Sequence, residues 1–404
     1  MMKFIEGGVC APLGFKAAGI HCGIRAGKTK KDLALIVSEI PASGAAVYTK
    51  NLVKGAPIYV TIDNLKNGVA SAVICNSGIA NTCNADGMEK ASGMCEIVAE
   101  ALSIPSEDVI VASTGVIGQP LNLEPIRAGI SELVNSLSPE GSHDAVEAIM
   151  TTDTIPKEAA LAIDINGGSV KLGGMAKGSG MINPNMATML AFLTTDAKIE
   201  PSLLSRLIKS AADISFNRVS VDGDTSTNDM LSIMANGKSG VEIVDGTEEL
   251  KLFEEGLNAV CVSLAKMLAG DGEGATKLIE CKVSGALSVE EATLISDSVI
   301  NSPLVKTAMF GEDANWGRIL CAIGYSGAQV NVDSIDVSLK SEAGEIEVCK
   351  TGAGVSFSED YALRVLKSKE ITIDIKLNQG DFCSASWGCD LSYDYVKING
   401  DYRT

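Results

Sequence analysis

Histidine is almost missing from this chain, with only His21 and His143 among 404 residues. A histidine-rich metal site or a serine–histidine–aspartate triad therefore has little material to work with. Any acid–base chemistry must draw on other groups. Aromatic residues are scarce too (2 Trp, 7 Tyr and 8 Phe), so the core has to be built from Ala, Val, Ile and Leu. No run rich in Lys or Arg occurs, and the formal net charge is −18. Such a surface repels phosphate backbones and anionic lipid heads, which argues against nucleic-acid and membrane-surface partners. No apolar stretch reaches the ~18 residues of a membrane-spanning helix. The N-terminus carries Glu6 and no signal-type apolar run, so secretion is not expected and a cytoplasmic location is. The eleven cysteines include no Cys-x-x-Cys pair. In a reducing compartment most of them read as small buried hydrophobes, with Cys383 and Cys389 left open as a metal or redox pair.

What is present is a mixed pattern of strands and helices. Apolar runs predict strands over Leu33–Ile40, Ser71–Cys75, Asp108–Ser113, Ala159–Ile165 and Glu370–Leu377. Apolar residues recurring every three or four positions predict helices over Asp86–Leu102, Ile126–Leu137, Pro201–Ala212, Thr247–Leu268 and Ser288–Ile300. The length favours two or three domains, yet no repeat, low-complexity segment or long linker marks a boundary. Five stretches rich in Gly, Ser, Thr, Asn and Asp read as loops: Asn76–Cys83, Ser113–Pro120, Gly173–Gly180, Asp222–Asp229 and Asp271–Lys277. Five such loops in one chain suggest a cluster around a site.

Phosphate-binding loops fail on spacing. Gly174-Met-Ala-Lys-Gly178 lacks the Gly-x-x-x-x-Gly-Lys-Ser/Thr pattern, and Lys277 follows Thr276 in the wrong order. Asp222, Asp224 and Asp229, like Asp271 and Glu273, do not continue into a twelve-residue calcium loop. The most informative stretch runs from Lys177 to Asp196. A Gly-Ser-Gly and an Asn-Pro turn lead to Met186-Ala187-Thr188 and then to the apolar Met189–Leu193. Thr188 thus stands where a turn meets a rigid, buried element.

This stretch resembles the cleavage region of the ornithine acetyltransferase (glutamate N-acetyltransferase) family. The likeness continues through Ala112–Gly118, Thr151-Thr-Asp153, Val221–Asp229, Asp271–Lys277, Ser302–Arg318 and Ile398–Thr404, in family order and over essentially the whole chain. A departure is Ile79, where the family pattern has asparagine. The resemblance implies a precursor that cuts itself between Ala187 and Thr188, giving chains 1–187 and 188–404. Thr188 then becomes an N-terminal nucleophile. The chemistry is sound in itself, because a threonine hydroxyl needs a base and the cut creates an α-amine of ordinary pKa about 7.7–8.0 on the same residue.

The resemblance further implies that Thr114 and Gly115 form the oxyanion hole, and that Thr151, Lys177, Thr188, Glu273, Asn399 and Thr404 contact substrate. Lys177 suits an α-carboxylate and Glu273 a cationic amine. The implied reaction moves acetyl from N-acetyl-L-ornithine to L-glutamate through acetyl-Thr188, without metal or cofactor. Acetyl-CoA is left open as a second donor, and a heterotetramer of two copies of each fragment is implied. Two other readings stand beside it: an N-terminal-nucleophile amidase or aminopeptidase with water as acceptor, and a non-catalytic amino-acid-binding protein on the same scaffold. The implied fold is a layered αββα sandwich with a smaller C-terminal α/β domain. The boundary is expected near residue 280, giving 1–280 and 281–404.

Overall fold

The structure is a computed structural model that describes residues 1–25, 27–165, 168–183 and 189–401. Its strands, in chain order, begin with β1 Met2–Ile5, β2 Phe15–Ile20, β3 Leu33–Tyr48, β4 Val69–Ile79, β5 Val109–Val116 and β6 Lys157–Ile165. Next come β7 Gly168–Lys177, β8 Leu190–Thr195, β9 Lys198–Ile199, β10 Val219–Ser220, β11 Met230–Ala235 and β12 Glu242–Ile243. The last are β13 Leu278–Ala286, β14 Asp336–Ser341, β15 Gly344–Lys350, β16 Ala353–Gly354, β17 Glu370–Lys376 and β18 Phe382–Cys389. The helices are α1 Ala56–Asn64, α2 Gly87–Leu102, α3 Glu124–Asn135, α4 Ser142–Ile149, α5 Pro201–Ile214 and α6 Glu248–Gly270. They continue with α7 Val289–Asn301, α8 Pro303–Phe310, α9 Trp316–Gly324, α10 Glu359–Leu366 and α11 Tyr393–Gly400.

The chain divides into two units. The first comprises Met1–Gly178, Asn185–Asn217 and Thr225–Leu264, and the second Ser179–Pro184, Arg218–Asp224 and Ala265–Thr404. The division therefore falls inside α6, not near residue 280, and two short segments from mid-chain join the second unit. The expected position fails because β13 is no boundary strand: it pairs with both β17 and β18 within the second sheet.

In the first unit nine strands form one hydrogen-bonded sheet in the order β1-β6-β7-β8-β11-β3-β4-β5, with β2 also on β3. The strand β3 pairs with β2 along its first half, with β11 along its second and with β4 on both sides of an irregularity between Val37 and Ala42. Alternate residues of the two halves share one core. Ala34, Ile36, Val73, Cys75, Ile110 and Ala112 from β3, β4 and β5 pack in the same cluster as Met175, Leu190, Phe192, Met230 and Met234. Their neighbours Leu33, Leu35, Ala72, Ile74, Val109 and Val111 face the other way, onto α2 and α3. On the opposite outer face, Gly174 of β7 lies against Leu193, Val260 and Leu264, and Gly256 of α6 lies against Ile163 and Leu161. The layers are therefore helix, sheet, sheet and helix. Strands buried on both faces read as continuous apolar runs, which is why the sequence marks them so clearly.

Three of the expected loops are partly strand. Asn76–Ile79 extends β4, Ser113–Val116 extends β5, and Gly173–Lys177 ends β7. The glycines there serve packing. A Cβ on Gly174 would come within 2.5 Å of Leu193 and 2.9 Å of Leu264, so its absence lets α6 approach the sheet. In the second unit, seven strands run in the order β10-β18-β13-β17-β14-β15-β16. Their apolar face packs with α7, α8, α9 and α10 around Ile279, Cys281, Ile373, Ile295, Val299 and Met309.

Candidate active site

The parallel strands β4 and β5 set the first part of the site. Ser77 pairs with Thr114 and Gly78 with Gly115 at their C-terminal ends. Gly115 has φ +127° and Gly78 +118°, conformations open in practice to glycine alone. A Cβ on Gly115 would overlap the Gly78 carbonyl and stand 2.6 Å from its Cα. Two facing glycines thus let the backbone turn away at the strand ends. Ile79 closes β4, and its carbonyl accepts a hydrogen bond from Asn76 Nδ2 at 2.9 Å.

The buried side chain of Asn228 pins these ends together. Its Nδ2 donates to Ala80 O at 2.7 Å and Ser113 O at 3.0 Å, while its Oδ1 accepts from Thr82 Oγ1 at 2.6 Å. Beside it is a small cavity lined by Thr114, Lys177, Met189, Leu190, Ser226, Asn228 and Asp229. Lys177, the last residue of β7, is 4 % exposed, and its Nζ donates to Thr114 Oγ1 at 3.4 Å. That is a long bond for a buried ammonium with three protons to place. Burial pushes the Lys177 amine below the ordinary lysine range, and Asp153 opposes that shift.

Asp229 lines the same cavity. Its Oδ1 accepts the Met189 N–H at 3.0 Å, which is the amide immediately after Thr188 in the chain. Its Oδ2 is buried and without a hydrogen-bond partner among the described residues. Burial pushes this carboxyl well above the usual carboxylate range, against the pull of the Met189 amide, the Ser226 and Thr49 hydroxyls and the Lys177 charge.

Asp153 organises the turn that carries Thr151. Its Oδ2 accepts the Thr151 N–H at 3.0 Å, and its Oδ1 accepts Lys157 Nζ at 2.7 Å and the Gly178 N–H at 2.6 Å. Burial works to raise its pKa, but the charges of Lys177 and Lys157 and the bonds from Lys157 and Gly178 hold it down at about 2.

In the second unit Glu273 is buried, its N–H donating to Ser179 O at 2.7 Å. Its Oε2 accepts Asn399 Nδ2 at 2.8 Å. Gly180 leaves room for that carboxylate, since a Cβ there would come within 2.5 Å of it. The nearby Thr276 and Lys277 amides both donate to Asp390 Oδ1, at 2.8 and 2.9 Å.

Of the residues expected at the site, the structure brings Thr114 and Lys177 into contact, sets Gly115 beside them in sequence, and links Thr151 to the strand end of Lys177 through Asp153. Glu273 and Asn399 form a second pair. Ala187, Thr188 and Thr404 lie outside the described residues. Asp153, Asn228 and Asp229 were missed as site residues. Asp229 carried a signal, as an acid placed directly before the fully apolar Met230-Leu231. Among the described residues no cluster of His, Cys, Asp or Glu could hold a metal ion. All eleven cysteines are free. Cys383 and Cys389 stand at either end of β18, about 20 Å apart at strand rise, so they are no pair.

The ArgJ family model matches residues 16–404. A protein of Caldanaerobacter subterraneus subsp. tengcongensis called arginine biosynthesis bifunctional protein ArgJ is 50 % identical over 405 residues, covering 100 % of both chains. The protein of the same name from Bacillus subtilis is 49 % identical, over 99 % of this chain and 97 % of its own. A crystal structure of arginine biosynthesis bifunctional protein ArgJ from Bacillus halodurans is 43 % identical with a TM-score of 0.50. It covers 52 % of this chain and 97 % of that one.

Proposed function

Because the chain belongs to the ArgJ family, we propose that it is a glutamate N-acetyltransferase of arginine biosynthesis, moving acetyl from N-acetyl-L-ornithine to L-glutamate through an acetyl ester on Thr188. The observation that carries this reading is the cavity in which Thr114, Lys177 and Asp229 converge on Met189, the residue that follows the nucleophile.

In the precursor, the Thr188 hydroxyl attacks the Ala187 carbonyl. The C–N bond breaks, and water hydrolyses the resulting ester to leave chains 1–187 and 188–404. The match to a solved chain that is 97 % covered yet spans only 52 % of this one supports two products of nearly equal length. In the mature enzyme the Thr188 α-amine takes the hydroxyl proton as Oγ attacks the acetyl carbonyl. Thr114, through its hydroxyl, and Gly115, through its N–H, supply the donors to the oxyanion, each worth about 3–4 kcal/mol in such sites. Lys177 and Thr151 receive the α-carboxylate end of the substrate. Glu273, held by Asn399, receives the amine, and Thr404 adds a further contact. Ornithine leaves, glutamate enters, and its amine takes the acetyl group, so the kinetics are ping-pong.

Acetyl-CoA is proposed as a second acetyl donor, a reading that fits the description of the relatives as bifunctional. The chains 1–187 and 188–404 assemble two of each, without metal or cofactor, and the eleven free cysteines support a cytoplasmic location. The test is purified protein given acetylornithine and glutamate. N-acetylglutamate is the expected product, and free acetate in its place would favour the amidase. Thr188→Ala is expected to run as one inactive band near the full 41.9 kDa. Two fragments from that variant would refute the nucleophile.

A further inference from the structure

Asn228 stands in the wall of the cavity beside Thr114, and its buried amide is bonded on both sides. On one side are two carbonyl oxygens, Ala80 O and Ser113 O, and on the other two hydroxyls, Thr82 Oγ1 at 2.6 Å and Thr227 Oγ1 at 2.5 Å. A carbonyl only accepts, so the group that faces both of them is the NH2, and the amide has one orientation. Four bonds hold a planar group and leave it no freedom to adapt.

The two carbonyls belong to different strands. Ala80 follows the last residue of β4, and Ser113 precedes Thr114 within β5. A peptide unit is planar, so the bond at Ser113 O also fixes the plane of the amide that leads into Thr114. The Ala80 N–H donates to Val116 O at 3.0 Å, which closes the strand ends beyond the Gly78–Gly115 pair. Asn228 therefore grips β5 just before the proposed oxyanion donors and β4 just after the residues paired with them. Gly55 points the same way independently. Its φ of −63° and ψ of 145° are open to any residue, so the backbone does not require glycine there. A Cβ at this position would stand 2.6 Å from Asn228 Nδ2 and 2.8 Å from its Cγ and Oδ1. The missing side chain leaves the amide its place.

We propose that Asn228 is the positioning residue of the oxyanion donors: its amide sets the spacing of the β4 and β5 ends, so that the Thr114 hydroxyl and the Gly115 N–H meet the same developing charge. This assignment rests on the transferase reading and deepens it. Asn228 acts through Thr114 and Gly115 and touches no reacting atom. Both half-reactions pass through an oxyanion, so misplacing the donors slows both alike, which lowers kcat and leaves both KM values in place.

The experiment uses the full-length, cut enzyme with acetylornithine and glutamate, rates being scaled to the cut fraction on a denaturing gel. Asn228→Asp keeps the shape but turns an acceptor onto the two carbonyls. It is expected to lower kcat by about thirtyfold or more, with each KM within about threefold of wild type. In a Thr114→Ala background the same change is expected to cost at most about a third of that factor, because the two residues act as a unit. A factor undiminished in that background, or a loss carried by KM, is what a merely structural role would give and would overturn the proposal. Should Asn228→Asp fail to fold or to cut, Gly55→Ala decides. Its Cβ displaces the amide without changing any group that the amide bonds, so kcat should fall about threefold or more with KM unchanged. A folded, cut Gly55→Ala enzyme with wild-type kcat refutes the idea. Wild-type protein that makes no N-acetylglutamate would sink the transferase reading itself, whereas an active wild type whose kcat is unaffected by either substitution sinks only this inference.

Discussion

Replacing Gly115 by alanine tests the geometry on which the oxyanion assignment stands. At φ +127° an L-residue is strained by about 1–3 kcal/mol. The new Cβ would overlap the Gly78 carbonyl and lie 2.6 Å from Gly78 Cα, where ordinary contact begins at 3.4 Å. The ends of β4 and β5 must then part by about 0.8 Å or more, which loosens the last rungs, Gly78–Gly115 and Ile79–Val116. Each lost bond costs ~1 kcal/mol. Together these give about 3–5 kcal/mol, or a fall in Tm of roughly 10 °C. The assay is a thermal melt in the Thr188→Ala background, where the chain stays in one piece. Gly78→Ala is the control. Its φ of +118° is strained as well, but its Cβ meets the movable Arg25 Cγ at 2.7 Å, so about 1–3 kcal/mol is expected. A Gly115→Ala chain that melts within 2 °C or so of its parent, or no lower than Gly78→Ala, would refute the close approach of the two strand ends.

Three further outcomes follow from the same residues. Thr114→Ala is expected to lower the acetyl-transfer kcat by about 10²-fold or more with KM little changed, and a pure rise in KM would reduce Thr114 to a wall of the pocket. Asp229→Asn keeps an acceptor for the Met189 N–H and should fold and cut, whereas Asp229→Leu orphans that amide at a cost of about 1–3 kcal/mol and should slow the cut. Urea melts and the cut fraction over time distinguish these two variants. Asp153 has a folded pKa of about 2 against an ordinary 3.8, so its contribution is complete above pH 4 and is lost as pH falls toward 2. The loss amounts to about 2 kcal/mol of unfolding free energy, measurable as a drop in urea midpoint from pH 5 to pH 2.5 that Asp153→Asn lacks.

The elements were legible wherever burial imposed a clean period. The helix patterns over Pro201–Ala212 and Thr247–Leu268 correspond to α5 and α6, and the apolar run at Leu33 opens β3. Glycine misled the reading of β7, because Gly173 and Gly174 look like turn formers but serve close packing within a strand. The second half of β3, through Pro41 and Gly44, lacks a periodic apolar pattern. Its place is set by its partners β11 and β4, which local sequence cannot show. The division inside α6 was invisible for a related reason: a long helix carries no composition change where its contacts change. Of the expected site residues, Thr114 and Lys177 lie in motifs that the fold brings into contact, and Glu273 and Asn399 in motifs that it pairs within the second unit. Asn228 and Asp153 act by bridging segments distant in sequence, so the polar run Asp222–Asp229 gives no sign that Asn228 is buried.

The strand order has a consequence for what the proposed cut does. The proposed cut falls between β7 and β8, which are antiparallel neighbours zipped from Leu172–Thr195 to Lys177–Leu190. In the sheet, β8 and β11 of the later fragment lie between β7 and β3 of the earlier one. The two products are therefore interleaved like shuffled cards rather than joined along a seam. Neither fragment can complete its sheet alone, since each would expose raw edges where the other's strands belong. A cut there in the folded chain would remove a tether without freeing a part. Separation of the proposed two chains would require unravelling the middle of the sheet, whose ladder hydrogen bonds would hold them together.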